Sequence, residues 1–122
     1  GFTDWHLPSP DELEVCYRYL KPSPDNNFVG VRSLHNELSG YNPNSNPTKD
    51  GYATNSPQQT TVTEFQEGGS QAFFDSTTPY HTSAQLPVAT NAVYTQRFKD
   101  GLQSNFSKTS TFSARAVRWV EV

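Results

Sequence analysis

The sequence predicts an α+β domain in which two short helices and long irregular loops precede a small antiparallel sheet. Three observations predict it. A helix-period stretch follows a full set of start signals at residues 9–20. Residues 21–59 are rich in Pro, Asn, Ser and Gly and read as loop. From residue 79 onward the apolar positions recur with a period of two.

The first helix is predicted over 10–20. Ser9 stands at the cap, Pro10 suits the first helical position, and Glu12 completes a capping box. Asp11 and Glu12 also face the positive end of the helix dipole. Leu13, Cys16, Tyr17 and Leu20 follow the i, i+3, i+4, i+7 rule, so one face is apolar and Leu13 belongs to the core. Lys21-Pro22 ends the helix.

The tract that follows is long for a structureless loop, which marks it as functional or disordered. Phe28, Val29, Val31, Tyr41 and Tyr52 are expected to pin it, and "VRSLHNELSG" to form a helical turn with Leu34 and Leu38 inward. "TTVTEFQEGG" is predicted as the second helix. Thr61 and Glu64 make its capping box, Val62 and Phe65 its apolar side, and Gly68-Gly69 its stop. "YHTSA" and "AVYTQRF" read as strands separated by a long loop, "QLPVATN", at 85–91. "KDG" is a hairpin turn, "LQSNF" the partner strand, and "FSARAVRWVEV" a final strand carrying Arg118 and Trp119.

Composition narrows the function. The 122 residues fit one domain. Apolar residues are 33% and charged residues 17%, yet eight Phe, six Tyr and two Trp can anchor a core. The net charge of −3 and the scattered Lys and Arg offer no basic face, which argues against nucleic acid. No apolar run approaches membrane-spanning length, so no membrane insertion is expected. A single cysteine, Cys16, excludes an internal disulfide and a multi-Cys zinc site.

In order along the chain, "GFTDWHLPSPDEL", "TTVTEFQEGGSQAFF", "YHTSA", "YTQRFKDGLQSNFSK" and "ARAVRWV" together resemble the Lcl C-terminal-like domain family. The resemblance covers both ends and the second predicted helix, and is poor over 23–56. It implies a C-type-lectin-like fold, near that of formylglycine-generating-enzyme-like proteins, used as a scaffold on bacterial surfaces and in phage virions. The "TTVTEFQEGGSQAFF" spacing looks most like phage-associated members. His6 stands where the family usually has Arg, and His81 where Trp is usual. The family also carries a strand and a helix ahead of the Asp-Trp motif, which implies that these residues are the C-terminal part of a longer protein.

Enzymatic readings fare poorly. A formylglycine-type oxidase needs paired cysteines, and Cys16 on an apolar helix face reads as a buried inert thiol. His6, His35 and His81 sit in no nucleophile motif and lack zinc-site spacing. Asp4 with Asp11, and Glu12 with Glu14, read as helix capping rather than catalytic pairs. No cofactor is expected; calcium through Asp50 and Asn55 is the alternative, against plain Asx turns. Asn105-Phe106-Ser107 matches a glycosylation acceptor, a pattern common by chance.

The expected ligand-contacting residues are Tyr80, His81, Tyr94, Arg97, Asn105 and Lys108, on loop tips and strand edges of the second half. They mix planar aromatic, amide and cationic groups, which suits a sugar or a polar epitope. The structural residues are Trp5, Leu13, Phe65, Arg118 and Trp119. The expected function is a non-enzymatic attachment module on a virion surface, at a fibre tip or on the capsid. Its partners would be a bacterial surface glycan or protein receptor and neighbouring virion subunits, in a homo-oligomer such as a trimer. The alternatives are a bacterial cell-surface adhesin for glycans and a domain that cements neighbouring subunits.

Overall fold

The computed structural model describes residues 3–32, 37–87 and 89–118. Among these residues it is a small α+β arrangement of one α-helix and one three-stranded antiparallel sheet. Helix α1 spans Pro10–Leu20, as its signals predict. Ser9 Oγ accepts from Glu12 N at 3.2 Å, and Glu12 Oε1 accepts from Ser9 N at 2.9 Å. Leu13 and Tyr17 are fully buried, with Cys16 and Leu20 packed beside them. Glu14 is buried as well, which the apolar stripe does not explain.

The second helix is a correction: Thr63–Phe65 form a single 3₁₀ turn. Val62 stands at the cap and no side chain caps the turn. One turn orders three residues for little hydrogen bonding, and β-branched Val62 and Thr63 do not favour propagation. Gln66 is already extended, and Gly69 N bonds back to Gln66 O at 2.7 Å.

The sheet is a meander in the order β1 (Tyr80–Leu86), β2 (Ala89–Gln96), β3 (Gln103–Ser107). The expected loop at 85–91 is not there. Gln85 and Leu86 complete β1, and Leu86 pairs directly with Ala89 of β2. The alternation runs on past Ala84 to Leu86, which is buried and anchors the strand end. Register slips between His81 and Gln85, where Ser83 N instead donates to Pro8 O at 2.9 Å. The β2–β3 turn follows the Asp-Gly signal. Gly101 has φ +78°, and a Cβ there would lie 2.6 Å from the Tyr17 ring, so glycine is required twice over.

No final strand forms among the described residues. Ser113 bridges Tyr80 and Val117 bridges His6, each in isolation. The segment uses its backbone one residue at a time to tie the start of the chain to the sheet, with His6 N to Val117 O at 2.9 Å and His81 N to Ser113 O at 2.8 Å. Trp119 and the rest of 119–122 lie outside the described residues.

The tract at 21–59 has little repetitive structure but is tied from within. Asn27 Nδ2 donates to Ala53 O at 3.0 Å and Pro57 O at 2.9 Å, and the Tyr17 hydroxyl donates to Asn27 Oδ1. The Lys21 ammonium donates to the Asp25 carbonyl, and burial lowers its pKa. Tyr52 is deeply buried, whereas Val29 and Val31 are exposed. Leu38, expected inward, is exposed and pairs with Val31 in a bridge; Leu34 lies outside the described residues.

Aromatic rings make the core. Phe73 and Phe98 stack at 4.2 Å, and Tyr17 and Tyr80 meet Phe98 edge-on at 5.4 and 5.1 Å. Amides complete it. Gln96 Nε2 donates to Tyr52 Oη at 3.3 Å and Gly101 O at 3.0 Å, and Gln103 Nε2 donates to Gln96 Oε1 at 2.9 Å. Large rings with satisfied polar groups let a chain of low apolar content build a core.

Candidate functional site

A groove of about 660 Å³ runs between the outer side of α1 and the loop 42–49. The helix face opposite the core presents Asp11, Val15 and Tyr19, spaced four apart. Val15 and Tyr19 line the groove, and Tyr19 is 57% exposed. The far wall is a small closed loop, with Asn42 N to Lys49 O at 2.8 Å and Lys49 N to Asn42 O at 3.0 Å.

A buried network fixes the two walls against each other. Glu14 Oε1 accepts from Arg18 Nε at 2.8 Å, and Glu14 Oε2 accepts from Asn42 Nδ2 at 3.0 Å. Arg18 Nη2 also donates to Gly40 O at 2.8 Å and Asp50 O at 3.0 Å, and its guanidinium lies 5.1 Å from the Tyr52 ring centre. This accounts for the buried Glu14: it is a buried acceptor that joins the helix to the loop, beside the Asp11 carbonyl, which accepts from Asn42 Nδ2 at 3.2 Å. Asn44 Nδ2 adds a bond to Asp11 Oδ2 at 2.7 Å, and Lys49 Nζ lies 5.7 Å from the Tyr19 ring centre.

His6 and Glu12 close one end of the groove, with His6 Nε2 at 3.1 Å from Glu12 Oε2. The Glu12 hydrogen bond raises the imidazole above its ordinary 6.5. Burial alone would raise the Glu12 carboxyl, but bonds from Ser9 and His6 outweigh it and hold Glu12 below its ordinary 4.5. The raised His6 stabilises the fold fully below 6.5, and that contribution is lost as pH rises through its folded value. The lowered Glu12 stabilises it fully above 4.5, and that contribution is lost as pH falls through its folded value. The pair therefore contributes most between 4.5 and 6.5. Glu12→Gln is expected to bring the His6 titration back toward 6.5, read from its ring proton shifts by NMR. An unmoved midpoint would mean that Glu12 does not set it.

A smaller cavity, about 180 Å³, lies across Asp11 from the groove, between the start of α1 and strands β2 and β3. Asp11 belongs to both walls.

The sequence-predicted contact residues do not form one site. Tyr94 and Asn105 face each other across β2 and β3. Lys108 sits at the same end, with Nζ bonded to Gln85 Oε1 at 2.7 Å. Tyr80, His81 and Arg97 lie at the other end. Tyr80 is a core residue, 3% exposed, so it is no surface contact. Its even position on β1 turns it onto the helix-covered face, and its hydroxyl accepts from Phe74 N at 2.8 Å. His81 is half-buried, 5.7 Å from the Phe112 ring. Arg97 forks onto Asp100 at 2.8 and 2.6 Å inside the hairpin turn, which raises its pKa and makes it a turn clamp.

Among the structural expectations, Leu13 and Phe65 join the core, with Arg115 over the Phe65 ring. Trp5 is not the buried anchor expected: it is 54% exposed. On this extended stretch successive side chains alternate, and those of Asp4 and His6 turn to Arg118 and Glu12, which sends Trp5 outward. Arg118 bonds Asp4 through Nε at 3.0 Å and Nη2 at 3.3 Å, at the surface rather than in the core. Asp4 is thus an ion-pair partner, not a cap. Cys16 is half-buried, and burial raises its thiol pKa. Among the described residues no three His, Cys, Asp or Glu side chains converge as a metal site, around Asp50 and Asn55 or elsewhere. None of the described helices is long and apolar enough to cross a membrane.

The groove residues escaped the sequence reading, although one signal marked them. Val15 and Tyr19 are apolar or aromatic residues at i, i+4 on the helix face away from the core stripe. No family model, curated protein or solved structure matches the chain.

Proposed function

We propose that this chain is a non-enzymatic attachment module that holds a polar bacterial-surface saccharide in the groove between α1 and the loop 42–49. The observation that carries the reading is the composition of that groove. An exposed Tyr19 ring sits among Asn44, Asn46, Asp11 and Lys49, on walls locked by the Glu14–Arg18–Asn42 network. A sugar offers C–H faces to an aromatic ring and hydroxyls to amides and carboxylates. At about 660 Å³ the groove falls within the range that ligand sites occupy. Rigid walls lower the ordering cost of binding. The acidic and basic groups are engaged with one another, Glu14 with Arg18 and His6 with Glu12, which suits recognition more than proton transfer.

The resemblance to Lcl C-terminal-like domains supplies the setting: a C-type-lectin-like scaffold on a phage virion, at a fibre tip or on the capsid, with neighbouring subunits as partners. A bacterial adhesin would use the same groove chemistry. A cementing domain would rely on a neighbouring subunit to order the 23–59 loop, whereas its Asn27 and Tyr52 anchors come from the same chain. This favours attachment. Display in several copies raises weak single-site affinity.

The test is binding of labelled domain, single and clustered, to bacterial strains and their purified surface polysaccharides, with and without a calcium chelator. Selective, chelator-insensitive binding is expected. Tyr19→Ala should weaken it about tenfold or more, as loss of an aromatic anchor does. If the Tyr94→Ala, Lys108→Ala pair abolishes binding and Tyr19→Ala does not, the contact face lies at the sheet end. Binding destroyed by protease treatment of the cells would point to a protein receptor. No binding in any form would leave the cementing role.

A further inference from the structure

We infer that the small cavity beside the groove is a subsite for the acetamido group of an N-acetylhexosamine whose sugar ring lies in the groove. The inference rests on the saccharide reading above and names the sugar class. At about 180 Å³ the cavity is below the size of whole-ligand pockets, so it suits a substituent rather than a separate ligand. Asp11 is common to both walls, so a ligand that spans the two spaces would pass that carboxylate.

The wall chemistry selects the substituent. Pro10, Ala84 and Tyr94 supply apolar surface. Arg32 and Asp11 bring one cation and one anion to the same small space. A carboxylate substituent would meet Asp11, and an ammonium would meet Arg32, so a neutral group fits best. Arg32 Nη1 donates to Tyr41 O at 3.2 Å and Nη2 to Glu37 Oε2 at 3.1 Å, but its buried Nε has no partner. Buried donors without acceptors are rare and call for an explanation. Asp11 Oδ2 accepts from Asn44, which leaves Oδ1 as an acceptor. An acetamido group presents what these residues lack: a carbonyl for Arg32, an N–H for Asp11 and a methyl for the apolar wall. Nε is shielded from water in the free chain, so its contact forms with a tilt of the guanidinium. The Glu37 carboxylate bonded to Nη2 is 43% exposed and moves with that tilt.

The test uses the full chain, clustered, against oligomers of N-acetylglucosamine and N-acetylgalactosamine, the matching hexose oligomers, and the de-N-acetylated amines. At least one N-acetylated oligomer is expected to bind about tenfold tighter than its hexose and amine counterparts. Its acetyl methyl should show magnetisation transfer from the Tyr94 ring. Ala84→Leu, which fills the cavity, should erase the preference; if that variant fails to fold, the methyl transfer in the unaltered chain decides. Equal binding of hexose and N-acetylated oligomers, sensitive to Tyr19→Ala, would overturn the subsite and leave the groove reading standing. Absence of binding to every oligomer would overturn the subsite, and the cell and polysaccharide panel would then decide the groove reading separately.

Discussion

Phe98→Ala is expected to destabilise the fold by about 3–5 kcal/mol, a large part of the roughly 5–15 kcal/mol that holds a domain together. Phe98 is fully buried and is the ring on which the core converges. Phe73 stacks on it at 4.2 Å, while Tyr17 from α1 and Tyr80 from β1 meet it edge-on. Alanine would remove the apolar area and leave a hole between three rigid rings, which cannot collapse as aliphatic chains can. The measurement is denaturant unfolding, where the midpoint should fall with the slope unchanged. Phe74→Ala is the control. Phe74 is 66% exposed, so its loss should stay within about 0.5 kcal/mol. Equal effects at the two positions would mean that the core is not centred on Phe98.

The parts legible in the sequence were those governed by neighbours along the chain. The capping box at Ser9 and Glu12, the apolar stripe of α1 and the Asp-Gly turn are local devices, and each folds as it reads. The Thr61–Glu64 signal read the same way and failed, because a cap cannot sustain a helix whose next residues turn away at Gln66. The 85–91 segment read as loop, yet β1 runs through to buried Leu86, which pairs with Ala89 at the start of β2. Long-range ties were not legible. Tyr80 looked like an edge residue until the helix covered its face of the sheet. Val15 and Tyr19 marked one wall of the groove, but its closure by the loop 42–49 was illegible for the same reason. The two walls are some thirty positions apart in sequence, joined by the Glu14–Asn42 bond (|i−j| = 28), and no local pattern announces that bond.

That bond sets up the second large effect. Arg18→Met is expected to cost about 3–5 kcal/mol, because it leaves the Glu14 carboxylate, 1% exposed, without its cation. Removing both charges with Glu14→Leu and Arg18→Met should recover much of that stability, since neither ion then needs solvation. Binding should not recover with it. The double variant leaves Asn42 Nδ2 only the Asp11 carbonyl at 3.2 Å, so the loop 42–49 loses its buried side-chain tie to the helix. Unfolding midpoints and saccharide titrations on the two variants separate the roles. Stability restored with binding still weak assigns the network to preorganising the groove. Recovery of both would make the ion pair a matter of folding alone, and the loop would then be held to the helix by Asn42 Nδ2 on Asp11 O at 3.2 Å and by the Asn44–Asp11 contact.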